Sequence, residues 1–344
     1  MLGLVPIKGR SETSEIRPFM EQAGSLMRVF LDFEKPVADL EGKIEELRHL
    51  SNDGDINIVE EVGKLQLKVE RQLRNTYQKL SPWQKVQVAR HPNRPHFKDV
   101  ISALVTDFTL LAGDRGFAED KAIVGGLGRF RGFSAVIIGT EKGNSTKERL
   151  ETNFGMARPE GYRKARRLME MAERFRLPVL TFVDTAGAYP GIGAEERGQA
   201  EAIARAIETS LRLTVPVVAT IIGEGGSGGA VALATADRVL MFEHAIYSVI
   251  SPEGCASILW RSGEHAKDAA EALRLTAQDL KQMAVIDDIV PEPLGAAHRA
   301  HDVALTSLGD AVEMALRDLV SVDPGTLRAQ RREKFLAMGK IVLT

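Results

Sequence analysis

Residues 217–234 read VVATIIGEGGSGGAVALA, an apolar run, a glycine-rich turn and a run of small residues in direct succession. Residues 217–222 form a short, apolar and mostly β-branched run, which predicts a strand buried on both faces. Residues 230–234 predict a closely packed helix. Five of the seven residues from Gly223 to Gly229 are glycine, and ordering so many glycines costs more conformational entropy than a bare turn explains. This turn is therefore predicted to be a functional site.

A second glycine cluster follows another short apolar run. Residues 179–183 are apolar, residues 184–193 read DTAGAYPGIG, and helical spacing begins near Glu195. Further apolar runs of strand length alternate with helical stretches at residues 122–124, 135–138, 239–242 and 289–290. This alternation predicts an α/β fold with helices on the faces of a sheet. Loops at strand ends are where such sheets place function.

Both ends of the chain favour helices. Residues 39–80 predict a charged helical pair, broken at Asn52-Asp53-Gly54, that either covers a partner subunit or packs on its own domain. Residues 303–319 predict a long helix, and the basic segment 328–334 is predicted to be a solvated helix face. Another helix is predicted from five apolar positions: Val100, Ile101, Leu104, Val105 and Phe108.

Composition narrows the function classes. The 344 residues carry a net charge of −2 and are 44% hydrophobic and 27% charged, which is typical of a globular protein and not of a dedicated nucleic-acid or polybasic membrane binder. The single cysteine, Cys255, excludes an intramolecular disulfide or a multi-cysteine zinc site. The sequence lacks an apolar run of membrane-spanning length and a signal-peptide core, so we expect a cytoplasmic protein.

Two interpretations of the 223–229 turn require no nucleophile. Gly223, Gly225 and Gly228 have the GxGxxG spacing of a dinucleotide-binding turn, with Glu243 placed to bind the ribose. Alternatively, adjacent backbone N–H groups at the start of a helix form an oxyanion hole that stabilises an enolate or a similar developing charge. The second interpretation explains the glycines without a side-chain base.

A third interpretation makes Ser227 a nucleophile, because it lies within a GxSxG sequence. A serine hydrolase also needs an acid and a base within hydrogen-bonding reach. In the chain order Ser, Asp, His these would be Asp287 or Asp288 and His298 or His301. Both histidines are otherwise predicted to be surface residues beside a helix.

Beyond these clusters, the chain closely resembles the alpha subunits of bacterial acetyl-CoA carboxylase carboxyltransferases over about residues 28–320. The matching motifs are FLDFE at 30–34, RHP at 90–92, AGDR at 112–115, DKAIVGG at 120–126, NFGM at 153–156, PEGYRK at 159–164, AYPGIGAEERG at 188–198, residues 223–230 and YSVISPEGCASILW at 247–260. The chain departs from the family pattern at Ala186, where the family typically has proline in DTPGAY.

The resemblance implies an α/β, crotonase/ClpP-like superhelix of ββα units with an N-terminal helical hairpin and C-terminal helices. It also implies carboxyl transfer from carboxybiotin on a carrier protein to acetyl-CoA, which gives malonyl-CoA for fatty-acid synthesis. If carboxybiotin releases CO₂, the biotin enolate itself takes the proton from acetyl-CoA, so the enzyme needs amide donors more than a base.

The family also implies partners. A beta subunit with a zinc ribbon would complete an α₂β₂ assembly, biotin would sit on the biotin carboxyl carrier protein, and ATP would be used only by a separate biotin carboxylase. No metal is expected in this chain, and neither a membrane nor nucleic acid is expected as a partner.

By motif, Gly228 and Gly229 would form the oxyanion hole for the ureido oxygen of biotin. Other residues would shape the loop or line the same pocket: Gly225, Gly226, Gly187, Ala188, Tyr189 and Gly191. The implied layout is a mobile extension (1–27), a helical lead-in (28–56), a CoA carboxyltransferase domain (57–318, with helical 57–115, crotonase-like core 116–300 and C-terminal helix 301–318) and a helical tail (319–344).

Two alternatives remain open at this point. One is a crotonase-like serine peptidase or acyl-CoA hydratase that uses Ser227 or the fold alone. The other is a non-enzymatic scaffold whose helices at residues 39–80 bind a partner or nucleic acid, although the net charge near zero disfavours nucleic acid.

Overall fold

The computed structural model describes residues 29–50 and 56–339. The predicted extension at residues 1–27 and the predicted helix break at Asn52-Asp53-Gly54 lie outside these described ranges.

An eight-stranded sheet forms the centre of the described chain. Its strands are β1 (Val105–Leu110), β2 (Ile123–Phe130), β3 (Phe133–Thr140), β4 (Val179–Thr185), β5 (Val217–Gly226), β6 (Arg238–Phe242), β7 (Ile246–Ser248) and β8 (Asp288–Val290). The order across the sheet is β1-β2-β3-β4-β5-β6-β8, and β7 pairs with the end of β5. The first two pairings are antiparallel, and those from β3 onward are parallel.

Helices surround this sheet. They are α1 (Lys35–Leu50), α2 (Ile56–Tyr77), α3 (Pro82–Ala89), α4 (Phe97–Leu104), α5 (Thr146–Glu151), α6 (Pro159–Phe175), α7 (Ile192–Glu196), α8 (Gln199–Arg212), α9 (Ser227–Ala234), α10 (Pro252–Trp260), α11 (Ala266–Ala272), α12 (Ala277–Gln282), α13 (His301–Val320) and α14 (Pro324–Ala337). None of the helices in the described ranges combines the length and the apolar character needed to cross a membrane.

The predicted α/β architecture is confirmed, and its two central strands explain the position of the glycine clusters. All seven residues of β4 are buried, as are nine of the ten residues of β5. The strands run parallel and side by side, so both end at the same edge of the sheet. The glycine clusters at 184–193 and 223–229 consequently leave the sheet next to each other.

The helix predicted from Val100 to Phe108 is wrong in its second half. The helix α4 ends at Leu104 and the strand β1 begins at Val105. Asp107 has a φ of +53°, and the pairing with β2 shifts register at this point, which is the signature of a β-bulge. The extra residue places Val105 and Phe108 on the same side of the strand at a spacing of three, so the bulge imitates helical periodicity.

The N-terminal helical pair packs on its own domain, as one of the two alternatives for residues 39–80 predicted. Val37 and Ile44 of α1 belong to a buried apolar cluster with residues of α2 such as Leu65. That cluster also includes Val88 of α3 and Ala296. The pair is therefore anchored to the rest of the chain by apolar contacts.

The predicted solvated basic segment at 328–334 is wrong at Arg331 and at Lys334, whose side chain is 17% exposed and pairs with Asp287. Arg331 of α14 is 1% exposed, and its guanidinium makes a bidentate ion pair with Asp237, at 2.9 and 2.6 Å. The same guanidinium donates to the carbonyl oxygens of Ser210, Leu213 and Val215. Five fixed donors on one planar group make arginine suited to such a buried site, and α14 is thereby fastened to the sheet.

Candidate active site

The two glycine clusters are in direct backbone contact. Thr185 at the end of β4 pairs with Gly225 of β5. A Cβ atom at Gly226 would lie 2.2 Å from the carbonyl oxygen of Ala186, and one at Gly229 would lie 2.7 Å from the carbonyl carbon of Gly187. Side chains would force these loops apart, so the glycines are required for their close approach.

The second loop leads directly into a helix that has no side-chain cap. Gly226 is the N-cap of α9 and cannot supply a capping oxygen, so the first-turn N–H groups of Ser227, Gly228 and Gly229 receive no capping side chain. The positive end of the helix dipole lies at the same point. Ser227 has a φ of +53°, a left-handed conformation that costs free energy in a residue other than glycine.

An apolar cavity of about 470 Å³ opens beside this helix start. Its lining residues are Ile207, Ser227, Gly228, Val231, Tyr247, Ser248, Val249, Leu273, Leu280 and Val285. Mostly apolar walls with a few polar groups are typical of small-molecule sites. A larger cavity of about 930 Å³ lies between α8 and α14, but neither glycine loop lines it.

The other predicted site residues do not line this cavity. Gly225 and Gly226 line a crevice of about 20 Å³ that also includes Ala186. Gly187 has a φ of +151° and is held by the hydroxyl of Thr185, which accepts its N–H at 3.1 Å and donates to its carbonyl oxygen at 2.7 Å. The departure from the family at Ala186 thus falls beside a turn that a threonine hydroxyl already closes.

Tyr189 turns away towards α6. Its N–H donates to the carbonyl oxygen of Ala157 at 2.9 Å, and the guanidinium of Arg158 lies 4.9 Å from the centre of its ring. A Cβ atom at Gly191 would lie 2.4 Å from the same ring. Tyr189 and Gly191 therefore shape the first loop. Ala188, the preceding residue in that loop, is half-buried.

Behind the second loop lies a network of charges, buried at Glu224 and Asp184 and partly exposed at Arg90, that the sequence interpretation missed. Glu224 is 7% exposed; its carboxylate contacts Lys142 Nζ at 2.8 Å and Arg90 Nε at 2.6 Å. Lys142 Nζ also lies 2.8 Å from Asp184 Oδ1, and Arg90 Nη1 lies 2.6 Å from Glu253 Oε1. The only hint in the sequence is a charged residue, Glu224, in the middle of a glycine run.

Opposite charges keep this network ionised. Burial by itself would raise the pKa of Asp184, but Lys142 and His96 outweigh burial and hold that pKa below its ordinary value. Burial would likewise raise the pKa of Glu224, which Lys142 and Arg90 lower. Burial would lower the pKa of Lys142, and the two carboxylates raise it instead. All three groups therefore remain charged at neutral pH.

The residues predicted to assist Ser227 as a nucleophile are engaged elsewhere. Asp287 accepts the N–H of Val239, Asp288 pairs with Lys281, His298 stacks on His91, and His301 lies 2.6 Å from the carbonyl oxygen of Asn93. Within the described ranges no hydrogen bond joins Ser227 to a histidine. Ser227 has the strained backbone of a nucleophile elbow, but in the part of the chain that the structure describes it lacks the histidine base that a nucleophilic serine needs.

The dinucleotide interpretation requires the carboxylate of Glu243 to be free, and it is not. The carboxylate of Glu243 accepts the N–H of Glu292 at 3.3 Å, and Glu292 itself is buried against Arg94. Glu243 is therefore occupied by the turn that follows β8 and is not free to bind a ribose.

Among the described residues, one group of three side chains is close enough to suggest a metal ion: Glu34, His91 and His298, with ligand atoms within 4.8 Å of one another. The N–H of Asn93 donates to His91 Nδ1 at 3.1 Å, which leaves the proton on Nε2, 3.0 Å from the carbonyl oxygen of Val29. His91 is thus a hydrogen-bond donor at the atom that would have to ligate. The side chain of His298 is 4% exposed, so its predicted surface position is wrong.

Taken together, the sheet, the uncapped helix start and the adjoining cavity define a class: α/β proteins with a candidate small-molecule site at the end of two central parallel strands. The comparisons with known proteins then identify the family. A family model described as acetyl co-enzyme A carboxylase carboxyltransferase-like matches residues 30–339.

Close relatives agree with this assignment. The chain is 68% identical over 314 residues to the acetyl-coenzyme A carboxylase carboxyl transferase subunit alpha of Paramagnetospirillum magneticum, which covers 91% of this chain and 99% of the relative. It is 69% identical over 311 residues to the subunit of the same name from Rhodospirillum centenum, which covers 90% of this chain and 98% of the relative. The chain belongs to the acetyl-CoA carboxylase carboxyltransferase alpha-subunit family.

Solved structures show the same fold. Transcarboxylase 12S aligns with a TM-score of 0.54 and 18% identity over 66% of this chain and 42% of its own. The beta subunit of geranyl-CoA carboxylase from P. aeruginosa aligns with a TM-score of 0.52 and 15% identity over 74% of this chain and 45% of its own. The chain spans less than half the length of either protein. The predicted crotonase-like α/β fold is confirmed.

Proposed function

We propose that this chain transfers the carboxyl group of carboxybiotin, carried on a separate protein, to acetyl-CoA, and so forms malonyl-CoA for fatty-acid synthesis. One observation carries the proposal: the uncapped N–H groups at the start of α9 meet an apolar cavity. In that reaction negative charge develops on oxygen, and preorganised N–H donors in a water-poor site are the groups that stabilise it.

The residues present fit the ring of biotin. A cavity of about 470 Å³ with apolar walls holds a small bicyclic ring, and Gly228 is one of its lining residues. When bound, biotin supplies the transferable carboxyl group. In the proposal, Gly228 and Gly229 donate to its ureido oxygen, Gly225 and Gly226 fix the turn, and the loop from Gly187 to Gly191 supports α9 from the side.

We further propose that the active site is completed by a partner subunit. Val249 lines the cavity and is 77% exposed, and α10, which follows it in the chain, carries further exposed apolar side chains: Ile258 at 71%, Leu259 at 65% and Trp260 at 41%. Several large apolar side chains exposed within a short stretch of chain are typical of protein–protein contacts. The proposed partner is the beta subunit of the enzyme, in an α₂β₂ assembly that also receives the biotin carboxyl carrier protein from the biotin carboxylase.

Replacement of Ser227 by alanine tests this proposal against the serine-hydrolase alternative. The hydroxyl contributes no donor to the proposed oxyanion hole, so Ser227→Ala should keep malonyl-CoA formation by the reconstituted complex within about 5-fold of wild type. Loss of a nucleophile costs orders of magnitude more, about 10⁴-fold or above.

The measurement is the initial rate of malonyl-CoA formation from carboxylated carrier protein and acetyl-CoA. Since Ser227 has a positive φ, Ser227→Gly is the matched control that relieves the backbone strain and also lacks the hydroxyl. Near-complete loss of activity in both variants would contradict the proposed mechanism.

A further inference from the structure

We propose that Glu224 is a positioning residue that fixes the end of β5 and thereby aims the N–H groups of Gly228 and Gly229. The inference rests on the proposed function, because those N–H groups matter only if negative charge develops beside them. Glu224 does not line the apolar cavity but a separate one of about 250 Å³, together with Arg90 and Lys142. In the proposal it acts on the apolar cavity through the glycine loop.

Glu224 is attached at three points. Its N–H donates to Asp184 Oδ1 at 2.8 Å, one carboxylate oxygen contacts Lys142 Nζ at 2.8 Å, and the other contacts Arg90 Nε at 2.6 Å. These contacts come from the end of β4, from the residues after β3 and from the end of α3. A loop of glycines has no side chains with which to hold itself; Glu224 supplies the missing attachment two residues before the N-cap of α9.

Glu224 also lies in the strand pairing that connects the glycine loop to the apolar cavity. The β5–β7 pairing places Glu224 opposite Ile246, and the following pair is Gly225 with Tyr247. Tyr247 lines the apolar cavity, and a Cβ atom at Gly225 would lie 2.7 Å from its ring. Moving the end of β5 would therefore move both the N–H donors and one wall of the cavity.

The arrangement of charges allows the positioning role of Glu224 to be tested without unfolding the protein. If Glu224 loses its charge, Lys142 still pairs with Asp184 at 2.8 Å, and Arg90 still pairs with Glu253 at 2.6 Å. No buried cation is left without a carboxylate, which is the situation that strongly destabilises a protein. Glu224→Gln should consequently fold while its side chain loses both ionic attachments.

The test is steady-state kinetics of the complex reconstituted from full-length chain and partner subunit. For Glu224→Gln we expect kcat to fall by about 10- to 100-fold, because displacements of about 1 Å in a catalytic geometry have effects of that size. The KM for acetyl-CoA should stay within about 2-fold, since the N–H donors act on the developing charge and not on the nucleotide part of CoA.

Two further variants make the result decisive. Arg331→Met removes a buried ion pair, with Asp237, that has no member in either glycine loop; it should lower the melting temperature and leave kcat unchanged. Arg90→Gln removes one attachment of Glu224 from a side chain that is 31% exposed, so it folds readily; its kcat should fall by about 3- to 10-fold at constant KM.

A wild-type kcat in Glu224→Gln or in Arg90→Gln would overturn the inference. So would a loss of kcat in Arg331→Met equal to that in Glu224→Gln, because activity would then follow stability alone. Should the wild-type complex itself form no malonyl-CoA, the proposed function fails instead. The two failures are therefore distinguishable.

Discussion

The isolated chain is expected to form no measurable malonyl-CoA from carboxylated carrier protein and acetyl-CoA, whereas an equimolar mixture with its partner subunit is expected to be active. We expect a difference of at least about 1,000-fold, the upper end of what the loss of a single oxyanion donor costs. This is the largest effect that the structure predicts.

The physical reason is that carboxyl transfer needs negative charge to be stabilised on two molecules. In the proposed mechanism the uncapped, glycine-rich start of α9 serves the biotin oxygen. The enolate of acetyl-CoA needs its own donors, and in the proposal they come from a partner that covers the exposed apolar side chains of Val249 and Ile258. Until those side chains are covered, water enters the site and weakens every electrostatic interaction within it.

The measurement compares the rates of the chain alone, the partner alone and the mixture. Size-exclusion chromatography of the mixture supplies the control, since restored activity should accompany a complex with equal amounts of both chains. A turnover by the chain alone that approaches that of the mixture would contradict the idea of a shared active site.

The position of the candidate site could be predicted from sequence because its signals are local. A short β-branched run predicts β5, and a run of small residues predicts α9. The glycines between them are required because this loop packs against the second glycine cluster, at 184–193. That cluster is also visible in the sequence, after the neighbouring strand. That the two loops lie together was implied only by the family resemblance, and the pairing of β4 with β5 provides the physical reason.

The parts that could not be predicted depend on distant contacts or on irregular geometry. The bulge at Asp107 gives β1 the spacing of a helix. The charges around Glu224 come from Arg90 and Lys142, which are 134 and 82 residues away in the chain. Similarly, the burial of Arg331 depends on Asp237, and a basic run reads as solvated unless its partner is known.

Adding a side chain at Gly228 should have the second-largest effect on activity. A Cβ atom at Gly228 would lie 3.7 Å from the side chain of Ile203, an ordinary van der Waals distance, and Gly228 has no positive φ. The fold therefore accepts a side chain here. Because Gly228 lines the apolar cavity, the methyl groups of valine would occupy the space beside the proposed N–H donors.

Gly229 is a less informative position. Its Cβ atom would lie 2.7 Å from the carbonyl carbon of Gly187 and 2.8 Å from the nitrogen of Ala188, so a side chain there pushes the two loops apart. A loss of activity at Gly229 would therefore mix catalysis with folding, whereas a loss at Gly228 would not.

The most direct test of the account is kcat of the reconstituted complex with Gly228→Val, compared with Gly228→Ala as the matched control. The account predicts that valine lowers kcat by at least about 100-fold, that alanine stays within about 10-fold of wild type, and that both melt within about 4 °C of it. A Gly228→Val complex with wild-type kcat would contradict the claim that backbone N–H groups at the start of α9 perform the chemistry.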